Sequence, residues 1–199
     1  MDPLAGLARF GWRRALSRRD AVCRQARRLA RDRGGHALVE AALVFPILIS
    51  LFLGISEFSE ALTVSRRVEA AAGTSADLVA RLRTVTSDDL TQIKPMIDEM
   101  LRPYQTATLG LVITSVVADA DNETTVAWSH AEGAGVSARA EGSPVALPAG
   151  LTEPDTSVIL AEVRYGFRST LATLIVGEMP MEAEAYMRPR LAARVEKTD

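Results

Sequence analysis

From Ala41 to Ser56 no charged residue interrupts the chain, and a single carboxylate, Glu40, stands at the head of that run. Counted from His36 to Ile55 the segment is 20 residues, about 30 Å as a helix, which matches the hydrocarbon core of a bilayer. A secretory signal has a shorter apolar centre and a small-residue cleavage site after it. Here Glu57 and Glu60 follow instead and a helical pattern continues, so the segment reads as an anchor. Between Glu57 and Leu82, Phe58, Ala61, Val64, Val68, Ala71, Ala72, Leu78 and Val79 form an apolar stripe of mixed three- and four-residue spacing. Gly73-Thr74-Ser75 is placed to kink or interrupt it. Ser87 suits an N-cap, with Asp88 and Asp89 in the first turn and Leu90, Ile93, Ile97 and Leu101 on one face of a second helix. Pro95 falls inside that helix and Pro103 marks its exit.

The period then changes. Leu109 to Val117 is rich in β-branched residues, Asp121-Asn122 suits a turn, and Thr124 to Trp128 resumes an extended pattern, which together predict a hairpin. Glu132 to Gly150 carries four glycines and two prolines and reads as a long loop. Val158 to Tyr165 alternates as a half-buried strand, with Ile159, Ala161, Val163 and Tyr165 on one face and Glu162 and Arg164 on the other. Arg168 to Val176 suits a short helix or loop ending near Gly177, and Glu182 to Met187 a final strand that Pro189 stops. A long helix laid over an antiparallel sheet buries both apolar faces, so the predicted class is α+β: a long N-terminal helix packed on a small antiparallel β-sheet.

Charge changes this picture by giving it a direction. Residues 1–35 hold ten arginines against Asp2, Asp20 and Asp32, a net of +7, while the rest of the chain carries −9. Short basic flanks stay cytoplasmic, so the acidic C-terminal part is expected across the membrane. The leader also contains Leu4, Leu7, Trp12, Leu16 and Leu29, but their irregular spacing fits an orienting segment better than an amphipathic helix on lipid. A nucleic-acid arm would be basic too, yet no recognition-helix pattern accompanies it, and no nucleic-acid partner is expected. Cys23, the only cysteine, lies in this leader, so the exported part forms no internal disulfide and relies on packing.

Candidate chemistry is sparse. His36 and His130 are too few for a metal cluster, so no metal and no cofactor are expected. Gly133-Ala134-Gly135 lacks the strand, helix and acidic residue of a dinucleotide site. No nucleophile motif of the Gly-x-Ser-x-Gly or Ser-x-x-Lys kind occurs, and Asp88-Asp89 and Asp98-Glu99 suit a helix end and a solvated face. Asn122-Glu123-Thr124 matches a glycosylation sequon that matters only in a host that reads it. No catalytic residue and no small-molecule substrate are expected. Glu40 is the stronger signal, because an acidic group within a bilayer is costly and usually has a partner. The plainer reading is a Glu that snorkels at a helix start, where the dipole favours it.

Gly35-His36-Ala37-Leu38-Val39-Glu40 resembles the processing site of type IV prepilins, cut after Gly with a Glu fifth beyond the cut. The longer stretch from Arg33 to Pro46, followed by Gly54-Ile55-Ser56-Glu57-Phe58, is similar to the TadE/TadG-like family of the Flp (tight adherence, type IVb) pilus system, as is the ending Tyr186-Met187-Arg188-Pro189-Arg190. Ala41 stands where an aromatic often follows the Glu in that family, and the leader is long. The resemblance implies a minor pilin-like protein of the bacterial inner membrane, acting by assembly rather than catalysis. It implies a basic cytoplasmic leader over 1–35, a transmembrane helix over 36–56, a periplasmic helical extension over 57–104 and a periplasmic antiparallel-sheet domain over 105–199. Prepilin peptidase would cut between Gly35 and His36, Glu40 would guide docking of one subunit helix on another, aided by the new amine at His36, and Pro46 would kink the membrane helix. The implied partners are the membrane, the pilus assembly platform, other pilin-like subunits and a prepilin peptidase. The alternatives are an uncleaved, single-pass anchored periplasmic binding or scaffold protein, and a membrane-tethered enzyme for which the chain offers no site.

Overall fold

In the computed structural model, which describes residues 34–169 and 177–198, the chain starts with a 47-residue helix, α1 (Gly34–Ala80). It continues with β1 (Thr84–Val85), α2 (Ser87–Leu101), β2 (Gly110–Ala118), β3 (Thr124–Gly133), β4 (Ser157–Phe167), β5 (Met179–Met187) and β6 (Glu196–Lys197). Two compact units divide between Gly54 and Ile55. The basic leader and Cys23, and most of the predicted 168–176 segment, lie outside the described residues.

The second unit is an α+β layer structure. Four strands pair antiparallel in the order β3-β2-β4-β5, while β1 and β6 form a separate parallel pair. One face of the sheet supplies Leu111, Ile113, Trp128, Ile159, Ala161, Val163, Tyr165 and Phe167 to the main core. Against them lie Val64, Val68, Ala71, Ala72, Ala76, Val79 and Ala80 of α1, together with Leu90, Ile93, Ile97 and Leu101 of α2. The predicted apolar face of α2 is therefore the buried one. On α1 the stripe is buried from Val64 onward, but Phe58 is 66% exposed and Leu78 is only half-buried.

Two local details depart from the expected pattern, each for a physical reason. Gly73-Thr74-Ser75 does not interrupt α1: the Ser75 hydroxyl donates to the Ala71 carbonyl at 2.8 Å, and the alanines beside it are buried in the core. The cap of α2 is Thr86, one residue before Ser87. Its hydroxyl accepts from the Asp89 N–H at 3.2 Å, and the Asp89 carboxylate accepts from the Thr86 N–H at 3.0 Å, a reciprocal capping box. Pro95 sits inside α2 on its exposed side, where the carbonyl it leaves unpaired, that of Thr91, belongs to an exposed residue.

The hairpin forms as expected, with Asn122 at φ 61° and the Asp119 carboxylate accepting from the N–H groups of Asp121 and Glu123. Its second strand runs further than expected, to Gly133, two residues into the predicted 132–150 loop. Gly133 has φ 100°, and a Cβ there would strike the Leu109 carbonyl, so glycine is required where β3 ends. The ladder slips at Ser115/Val116, where Ser115 pairs with Trp128 but Val116 pairs with Val126. Ala127 is the extra residue, and the bulge turns Trp128 into the main core and Val126 into a second cluster with Val116, Val145 and Leu160. β4 alternates as read, and β5 begins at Met179, earlier than expected.

β5 ends before Pro189 but is not the final strand. The chain crosses back: the Arg190 N–H donates to the Ala80 carbonyl at 2.8 Å, and its guanidinium meets Asp77 at 2.5 Å. Trp128 Nε1 donates to the Val195 carbonyl at 2.8 Å in the interior, and Ser157 Oγ donates to Ala193 at 2.8 Å. β6 then pairs with β1. This closes the C-terminal end of α1, whose last carbonyls otherwise lack partners.

Two carboxylates at these helix ends are more acidic than usual. Asp89 is lowered first by the Thr86 N–H and then by its hydroxyl; Asp77 is lowered by the hydrogen bond from Arg81, with Arg190 adding to it and burial opposing. A carboxylate with a depressed folded pKa contributes stability above its unfolded value, near pH 4, and loses it as the pH falls through the folded value. Asp89→Ala is therefore expected to melt a few degrees lower than the wild type at pH 7, with the gap narrowing as the pH falls below about 4. Thermal unfolding followed by circular dichroism across this range checks it, and a gap constant with pH would contradict the capping role of the charge.

Candidate functional site

The first unit reduces, within the described residues, to the opening turns of α1. Its large side chains are exposed all round: Leu38, Leu43, Phe45, Ile47, Leu51 and Phe52. A helix apolar on every side needs an apolar surrounding. No part of its most apolar stretch is buried by the rest of the chain, and α1 is the one helix among the described residues long and apolar enough to cross a membrane. A helix also meets the requirement that backbone polar groups be satisfied internally in lipid. At Pro46 that pairing fails for one group, because proline cannot donate to the Ala42 carbonyl. The helix continues through it, and the Ser50 hydroxyl donates to the Pro46 carbonyl at 2.8 Å.

The sequence-derived positions all fall on this element. Gly35 and His36 occupy the first turn, where N–H groups have no intrahelical partner. Gly35 has no atom within 4 Å of where a Cβ would stand, so larger residues fit there. Glu40 is exposed, on the same face as Leu43, Val44 and Ile47. The next acid along the chain is Glu57.

Two features escaped the sequence pattern. Glu57 carries an oxygen, Oε2, that is buried without a hydrogen-bond partner. On β3, His130 Nε2 and Glu132 Oε2 are likewise buried and unpartnered, 4.0 Å from each other. Glu57 could have been noticed as the first charge after the span, but its burial depends on β5, more than a hundred residues later. Among the described residues no group of three His, Cys, Asp or Glu side chains is placed to hold a metal ion.

Residues 35–77 match the family described as TadE-like protein. This segment is TadE-like. The match lies wholly within α1 and covers both its exposed apolar turns and the turns that enter the core. Neither a curated protein nor a solved structure matches the chain. The TadE-like family is associated with Tad pili and is a structural family rather than an enzymatic one.

A membrane-spanning role for the exposed apolar turns of α1 is directly testable. Ile47 is 64% exposed, so Ile47→Arg disturbs no packing within the chain. A charge there costs about 2.5–3.5 kcal/mol on insertion scales. The variant is expected to be released from membranes by alkaline carbonate more readily than the wild type, and equal retention would contradict a spanning role.

Proposed function

We propose that this chain is a minor pilin-like protein, bitopic in the bacterial inner membrane, that assists assembly of a Flp/type IVb pilus. The observation that carries this reading is the TadE-like match over 35–77, which contains Gly35, Glu40 and the exposed apolar turns in one helix. In this reading residues 1–35 are a cytoplasmic leader, 36–56 span the bilayer, 57–104 are a periplasmic helical extension and 105–199 a periplasmic sheet domain. Prepilin peptidase cuts between Gly35 and His36. Glu40, which has no ion-pair partner among the described residues, docks the helix on a neighbouring subunit's amine, and Pro46 kinks the membrane helix for bundle packing. The protein acts by assembly on the pilus platform and on other pilin-like subunits, and also supports adhesion.

One observation favours the second reading, an uncleaved anchored scaffold. The Gly35–His36 bond lies within α1, and a helical bond is a poor protease substrate until it unwinds. The mature N-terminus separates the two: His36 supports the pilin-like protein, and Met1 supports the scaffold. Because Gly35 has open space around it, Gly35→Val tests processing without disturbing the fold. It is expected to retain the leader and run more slowly on a gel than the processed wild type; identical mobility would count against peptidase action.

Glu40→Ala is expected to leave membrane insertion intact, since removing an acid from an apolar helix lowers its insertion cost. Pilus number should nevertheless fall severalfold. Counting pili by electron microscopy checks this, with Glu40→Asp as the variant that keeps the charge, and normal piliation in the alanine variant would remove the docking role.

A further inference from the structure

We draw no further inference here: the strongest candidate, the outer edge of β5 along Glu182, Glu184 and Tyr186, where the four-stranded sheet ends without a further pairing strand among the described residues, carries nothing because nothing in the structure shows what covers it.

Discussion

Burial of a narrow strip of small side chains on α1, Val64, Val68, Ala71, Ala72, Ala76, Val79 and Ala80, is the contact on which the sheet, α2 and the C-terminal crossing all depend. One helix has to satisfy two surroundings along its length. Up to Ser56 it carries large apolar side chains, such as Leu43, Phe45, Ile47 and Phe52, that are exposed, as an apolar surrounding favours. From Val64 they shrink to valine and alanine, so that the helix backbone can lie close to the sheet without voids. Large residues in this strip would hold helix and sheet apart, and small ones before Ser56 would weaken the apolar span. The change in side-chain size along α1 is thus the physical division of labour in the molecule.

Polar groups fix the arrangement that this packing permits. The capping box at Thr86–Asp89 starts α2 at a defined residue, and Arg190 ends α1 through a backbone bond to Ala80 and an ion pair to Asp77. Most other ion pairs, such as Arg102–Glu99 and Arg194–Glu196, are well exposed and add little stability individually. Trp128 matters more, because its buried indole N–H holds the Val195 carbonyl and ties the segment before β6 to the sheet.

The legible parts of the fold were those whose signal is local. Leu90, Ile93, Ile97 and Leu101 show one helix face, Ile159 to Tyr165 show strand alternation, and the uncharged run after Glu40 shows an apolar helix; all three stand in the structure as read. What was hidden depends on partners far along the chain. The extra Ala127 flips Val126 away from Trp128, a shift set by pairing with β2 and not by β3's own pattern. β6 is two residues long, and only its pairing with β1 makes it a strand. Phe58 belongs to the apolar stripe by spacing yet lies before the turns that the sheet covers. The candidate site divides in the same way. Gly35 and Glu40 are conspicuous in sequence, being a glycine and a charge at the edge of an apolar run, whereas the orphan oxygen of Glu57 becomes visible only once β5 lies beside it.

The pairing of β1 with β6, and of Asp77 with Arg190 across 113 residues, orders the making of this domain in time. While the chain is being synthesised, α1, α2 and the β2–β3 hairpin can form from neighbouring residues, but the end of α1 and the strand after it stay uncapped. Long-range contacts of this kind form late, because the loop they close must first be ordered. The nascent domain therefore cannot make these closing contacts until residues 190–197 are available.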